Sequence, residues 1–207
     1  HSLDRRPTQP HMKDATPHTE GIILAAGLST RAGQYKMALR LGDKTLIEHS
    51  IAGMAPVVER IFVVGGHRIE VLREILAGYS QVEVVHNTAF CDGMFSSVRA
   101  GLQRVRAERA FILPGDYPLV STETYRRLLA EPGDVVIPTY GGRKGHPVLL
   151  SARAISDILR QPGSSTLRDC IRQIGAVTVD VQDEGILLDV DSPDDFEAVK
   201  RVYEDEH

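Results

Sequence analysis

The stretch Gly21-Ile22-Ile23-Leu24-Ala25-Ala26-Gly27-Leu28-Ser29-Thr30-Arg31-Ala32-Gly33-Gln34-Tyr35-Lys36 decides how this chain is read. Ile22–Ala25 is a short apolar run with β-branched residues, which predicts a buried strand. After it, Ala25, Ala26 and Gly27 carry almost no side chain. A backbone built from them can approach a ligand closely, and its N–H groups can hold phosphate oxygens. Arg31 and Lys36 then bring the positive charge that a triphosphate demands. No Gly-Lys-Ser/Thr follows and no helix is expected directly after Gly33, so this is not a P-loop. Gly27 and Gly33 lie six apart, which the dinucleotide fingerprint cannot accommodate, and a nicotinamide oxidoreductase is disfavoured. The plainer alternative is a glycine-rich turn in which Arg31 and Lys36 are merely solvated.

Outward from that stretch, short apolar runs alternate with amphipathic ones. Arg60–Val64, Val82–His86, Ala110–Leu113 and Val135–Pro138 read as further strands, and Lys44–Ala55, Ile69–Ala77, Ser97–Arg106 and Thr122–Ala130 as helices. This alternation predicts an α/β fold whose mostly parallel sheet is covered on both faces. Beyond Gly145 the pattern loosens. There His146–Leu150 and Ala176–Val181 are candidate strands, and Ala152–Leu159 and Thr166–Ile174 candidate helices. Ser192-Pro193-Asp194-Asp195 reads as a helix start, with Ser192 as N-cap, Pro193 at the first helical position and Asp195 closing a variant capping box.

The chain has 207 residues, which favours one domain at the usual ~100–200 residues each. Residues 1–19 read as a flexible tail, partly vector-derived to judge by the His11-Met12 pair, and residues 20–207 as one domain. Lys and Arg number 24 against 28 Asp and Glu, a formal charge of −4, so no basic footprint for nucleic acid or an acidic membrane exists. The longest apolar run, Gly21 to Leu28, is far short of the ~18 residues that a membrane span requires. Two cysteines, Cys91 and Cys170, cannot build a disulfide scaffold or a zinc site. Two buried thiols in a reducing, cytoplasmic setting are the expectation.

The opening pattern L-A-A-G-x-S-x-R-x-G-x-x-K is matched by Leu24, Ala25, Ala26, Gly27, Ser29, Arg31, Gly33 and Lys36. Further along come Gly93-Met94-Phe95-Ser96-Ser97-Val98-Arg99-Ala100-Gly101-Leu102, Gly115-Asp116-Tyr117-Pro118-Leu119-Val120, Gly145-His146-Pro147 and Leu188-Asp189-Val190-Asp191-Ser192-Pro193-Asp194-Asp195. In these motifs and their order the chain resembles the MobA-like nucleotidyltransferases of the glycosyltransferase-A-like fold. Ala32 departs from the family, which usually has Met there. The resemblance implies a three-layer Rossmann-like domain with a mixed, mostly parallel sheet. It also implies transfer of a nucleoside monophosphate to an acceptor phosphate, with release of pyrophosphate. The Ala-Ala-Gly form of the loop and the Gly-Met-x-Ser-Ser segment are similar to molybdenum cofactor cytidylyltransferases, so CTP is the favoured nucleotide and molybdopterin the favoured acceptor. Guanylyltransferases of the group commonly show Ala-Gly-Gly.

Nucleotidyl transfer builds charge on the α-phosphate and the leaving pyrophosphate, so a divalent metal such as Mg²⁺ is expected. Asp116 follows a predicted strand and would lie at its C-terminal edge; in related enzymes this aspartate holds the metal, although a Gly-Asp there can also be a plain turn. Asp189 and Asp191, two apart on a predicted strand end, would point the same way. The resemblance makes them the remainder of the metal site, while Asp191 can equally serve the helix start beside Ser192. One of Ser96 and Ser97 is expected to cap a helix at Val98, and the other, with Gly93, to read the base. His146 and Arg168 are candidate acceptor contacts, the flank Gly163-Ser164-Ser165-Thr166 departing from the family pattern. Three alternatives stay open: a guanylyltransferase acting on a phosphorylated acid or molybdopterin, a cytidylyltransferase for a sugar or polyol phosphate, and a nucleotide-binding regulatory module without chemistry.

Overall fold

A computed structural model describes residues 18–27, 30–31 and 34–207, positions 30 and 31 by backbone pairing alone. The chain opens with strand β1 (Thr19–Leu24), then the small hairpins β2 (Thr30–Arg31) with β3 (Gln34–Tyr35), and β4 (Arg40–Leu41) with β5 (Lys44–Thr45). Alternating units follow: α1 (Leu46–Met54), β6 (Ile61–Gly65), α2 (Ile69–Leu76), β7 (Val82–His86), α3 (Met94–Leu102), β8 (Arg109–Pro114) and α4 (Thr122–Leu129). The second half contains β9 (Val135–Tyr140), β10 (Arg143–Lys144), β11 (Val148–Ser151), α5 (Ala152–Leu159), α6 (Leu167–Ile174), β12 (Val177–Asp180) and α7 (Pro193–Glu206).

The central sheet runs β7-β6-β1-β8-β11-β9-β12, with β10 also paired to β9. β1 lies parallel between β6 and β8, whereas β11 is antiparallel to both of its neighbours. Every residue of β1 is buried, as a strand covered on both faces must be. Its side chains alternate between two cores. Ile23 packs among Ile51, Leu72 and Tyr125 under α1, α2 and α4, while Ile22 packs among Val98, Leu102 and Ile158 under α3 and α5. The layers are helix, sheet, helix. No helix among the described residues is long and apolar enough to cross a membrane.

Local chemistry sets the elements that carry the site. Thr45 caps α1 through a capping box with Glu48, and Ser192 does the same for α7 with Asp195. A third cluster, Leu41, Leu46, Val190 and Val199, seats α7 against the β4–β5 hairpin. Burying Val190 there contributes roughly 1.5–3 kcal/mol and fixes the segment that carries Asp189 and Asp191.

Four expectations change. Thr19, placed in the expected tail, is buried as the first residue of β1, because the strand pairs with β8 from that residue on. Helix α3 begins at Met94, with Gly93 before it at φ 104°, ψ 175°. That conformation is open to glycine and closed to residues with a Cβ, so the glycine, and neither serine, starts the helix. Residues 188–191 form no ladder; among their backbone hydrogen bonds, the one from Val190 N–H to the Asp116 carbonyl (2.9 Å) joins the segment to the end of β8. Cys170 is buried as expected, but Cys91 is exposed.

Candidate active site

β1, β6, β7 and β8 are parallel, so their carboxyl ends share one edge of the sheet. The chain leaves β1 toward one neighbour and returns on the other side of it, and open α/β sheets bind ligands outside such a reversal. Among the described residues this edge holds a cleft of about 290 Å³. One wall is Leu24, Ala25, Ala26 and Gly27; the other is Phe90, Cys91, Gly93, Met94 and Ser97; Lys36 and Asp116 close the end.

The first wall is held from behind. Ala25 N–H donates to the Val64 carbonyl (2.8 Å), and the buried Tyr35 hydroxyl donates to the Ala25 carbonyl (3.3 Å). Among the described residues, a Cβ built on Gly27 would meet no atom within 4 Å. Packing therefore does not require a glycine there, and the missing side chain widens the cleft. Leu28, Ser29, Ala32 and Gly33 lie outside the described residues, as does the side chain of Arg31.

The second wall rests on a residue that the sequence did not single out. Asn87 continues the β6–β7 ladder by one bond, from its N–H to the Gly65 carbonyl. Its side chain reaches both serines of the Gly-Met-x-Ser-Ser segment, with Nδ2 2.9 Å from Ser96 Oγ and 2.9 Å from Ser97 Oγ. Ser97 is buried and lines the cleft, whereas Ser96 donates to the Gly93 carbonyl (2.7 Å). Neither is a helix cap.

At the closed end, Asp116 sits just past β8, where Gly115 N–H donates to the Leu24 carbonyl (2.8 Å). Lys36 Nζ lies 3.3 Å from Asp116 Oδ2 and 3.6 Å from Asp191 Oδ1. The lysine and Asp116 side chains are only 13% and 21% exposed, and that of Asp191 is 71% exposed. Burial pushes the Asp116 carboxyl above the usual carboxylate range, Lys36 offsets part of that, and Asp189 adds to it. Asp189 therefore stands close enough to be felt. The backbone N–H of Asp191 meanwhile donates to Asp195 Oδ2 (3.1 Å), so Asp191 serves the start of α7 with its main chain and Lys36 with its side chain.

Among the described residues no three His, Cys, Asp or Glu side chains converge as a protein-only metal cage. Mg²⁺ does not need one, because it takes one or two carboxylates and completes its shell with phosphate oxygens and water. The donor set at this end, hard oxygens beside a cationic lysine, fits that habit.

Of the two candidate acceptor contacts, neither lines the cleft. His146 packs tilted against Tyr117, next to Asp116, at 4.7 Å between ring centroids, and its buried Nδ1 has no partner among the described residues. Burial lowers its pKa to about 4, so the ring is neutral at physiological pH. Burial, followed by the charges of Asp189 and Asp116, raises the Tyr117 hydroxyl to about 12. Arg168 is exposed on α6, which packs against α5.

Residues 21–178 match the model of the MobA-like NTP transferase domain. The chain is 32% identical over 183 residues to a molybdenum cofactor cytidylyltransferase of Escherichia coli K12, covering 88% of this chain and 95% of that one. It is 30% identical over 129 residues to a probable molybdenum cofactor guanylyltransferase of Bacillus cereus ATCC 10987, covering 60% of this chain and 63% of that one. Rv0371c of Mycobacterium tuberculosis H37Rv, solved as a manganese complex, shares the fold with a TM-score of 0.70 at 24% identity, over 89% of this chain and 98% of that one.

Proposed function

This chain belongs to the MobA-like NTP transferase family and is a nucleotidyltransferase, and we propose that it moves CMP from CTP onto the phosphate of molybdopterin, in the cytoplasm. The observation that carries this reading is the cleft at the carboxyl edge of β1 and β8. It joins a wall of small residues to a cation–carboxylate cluster, the arrangement a nucleoside triphosphate needs.

In the proposed reaction the acceptor phosphate attacks the α-phosphorus in line and pyrophosphate leaves. A phosphate monoester is already ionised, so no general base or covalent nucleophile is required. Arg31 and Lys36 neutralise the triphosphate, while the backbone around Leu24, Ala25, Ala26 and Gly27 holds its oxygens. Gly93 and Ser97 face the base, whereas Ser96, outside the cleft lining, supports them through its bond to the Gly93 carbonyl. Asp116, with Asp189 or Asp191, would hold Mg²⁺, which when bound neutralises the charge developing on the α-phosphate and pyrophosphate. Catalysis is then positioning and charge stabilisation. His146 and Arg168 remain candidate acceptor contacts; only His146 borders the Asp116 end.

CTP is favoured over GTP on two grounds. The full-length similarity is to a cytidylyltransferase, and Ala26 carries a buried methyl on the cleft wall where similar guanylyltransferases have glycine. A guanylyltransferase is the second reading, supported by the similarity to the Bacillus protein. Incubating the protein with Mg²⁺, each NTP in turn and a panel of phosphorylated acceptors, and measuring pyrophosphate, tests the proposal. Release with CTP and molybdopterin supports it; release only with sugar or polyol phosphates, or none at all, rejects it.

A further inference from the structure

The wall formed by residues 88–94 is mostly exposed and makes no ladder with the sheet. Its place depends on two anchors at its base. One is steric: Phe90 lies against Gly66 so closely that a Cβ on Gly66 would fall 2.6 Å from Phe90 Cβ. The other is Asn87, itself buried and fixed by its backbone bond to Gly65.

The Asn87 amide is fully used. Oδ1 accepts from Ala89 N–H (3.0 Å), which forms the turn that launches the wall. Nδ2 donates to Ser96 Oγ and Ser97 Oγ, which close the wall at the first turn of α3. Nothing in this network permits the amide to be reversed. A backbone N–H can only donate, so the atom facing Ala89 must be the oxygen. The single hydroxyl proton of Ser96 is directed at the Gly93 and Ala89 carbonyls, so that oxygen must accept from Asn87. One side chain thus ties both ends of the 89–97 stretch to the end of β7.

We infer that Asn87 is the positioning residue for nucleobase choice: by tying Ala89, Ser96 and Ser97 together it sets how far the Phe90–Met94 wall stands from the Ala25–Gly27 wall. The inference rests on the proposed nucleotide site. The distance of the Phe90–Met94 wall decides whether a pyrimidine or a purine fits, while the triphosphate is held off that wall, by Lys36 and the backbone around Ala25–Gly27. Asn87 does not line the cleft, so its effect passes through the wall.

The test compares the parent with Asn87→Ala and with the isosteric Asn87→Asp, which keeps the acceptor for Ala89 N–H and loses the donors to both serines. Calorimetric titration with Mg²⁺ and either CTP or inorganic tripolyphosphate, a probe with no base, separates the two walls. Asn87→Ala should weaken CTP roughly tenfold while leaving tripolyphosphate within about twofold, and it should narrow the CTP-to-GTP ratio of kcat/KM by a comparable factor. Asn87→Asp should fall between. If Asn87→Ala does not fold, the Asp variant decides by the same comparison. An unchanged CTP affinity and ratio in a folded variant overturns the inference, as does equal weakening of CTP and tripolyphosphate. A parent that binds tripolyphosphate and prefers GTP contradicts the cytidylyl reading alone, and the inference then stands or falls on whether the variants shift that preference. A parent that binds neither nucleotide overturns both.

Discussion

Replacing Lys36 with methionine keeps the length and the apolar stem of the side chain and removes the ammonium that faces Asp116 at 3.3 Å and Asp191 at 3.6 Å. Breaking a fully buried pair costs about 3–5 kcal/mol, because one charge is left unpaired in low dielectric. Here the cost is smaller. Asp116 retains 21% exposure and can escape by binding a proton, so roughly 1–3 kcal/mol is the expected loss at neutral pH. In a chain of this size that corresponds to a drop of about 2–10 °C in Tm. The pH dependence has a definite sign. Burial already raises the folded-state pKa of Asp116, and removing Lys36, which lowers it, raises it further. The native state then holds its proton over a range where the unfolded carboxyl has lost it, so stability falls as pH rises through that range. The Tm deficit of the variant should therefore be largest at neutral pH and shrink toward pH 4. Mg²⁺ added without nucleotide should recover part of the deficit, since a cation again faces the carboxylates. The assay is thermal unfolding of parent and variant across pH, in chelator and in Mg²⁺, followed by CTP titration. A variant with the parent's Tm at neutral pH and the parent's CTP response would refute the reasoning and make Lys36 a solvated surface residue.

Asp116→Asn is isosteric and removes only the charge, so the fold should survive while turnover is lost; near-full pyrophosphate release in saturating Mg²⁺ would remove Asp116 from the metal site. His146, buried and neutral with a pKa near 4, should cost up to about 3 kcal/mol of stability as pH falls from 6.5 toward 4, because the unfolded state binds the proton first. His146→Phe should flatten that acid limb, and an unchanged pH profile of Tm would count against it. The Tyr125 hydroxyl is fully buried with no partner among the described residues, so Tyr125→Phe should stabilise the protein by roughly 1 kcal/mol, seen as a higher denaturation midpoint at unchanged slope. A loss of stability instead would show that the hydroxyl has a partner.

The parallel half of the sheet was legible because each strand there is a run of apolar residues followed by an amphipathic helix, and burial on both faces forces that pattern. The run of small residues Ala25, Ala26 and Gly27 was legible in the sequence, and in the structure these residues line the cleft. The start of α3 was not. Ser96 and Ser97 are good N-caps by chemistry, but Gly93 at φ 104° begins the helix, and a glycine announces its freedom without saying where it is used. Asn87 was invisible because an asparagine after a strand is ordinary turn chemistry, and its bonds to Ser96 and Ser97 arise only once β7 and α3 are side by side. β11 escaped a firm reading for another reason. It is four residues long, and its antiparallel place between β8 and β9 depends on partners distant in sequence. Asp189 and Asp191 lie near Asp116 through a backbone hydrogen bond from Val190 and the burial of Val190, neither of which leaves a pattern in the sequence.

The proposed selection of CTP for transfer to molybdopterin is decided by kcat/KM for CTP and for GTP with that acceptor, in the parent and in Ala26→Gly. The buried methyl of Ala26 stands on the wall that a purine would crowd, and one methyl's difference typically contributes ~1–3 kcal/mol, roughly 10–200-fold. The account predicts a parent that prefers CTP by a factor in that range, and an Ala26→Gly variant that stays active with a narrower ratio. A parent that prefers GTP would contradict it.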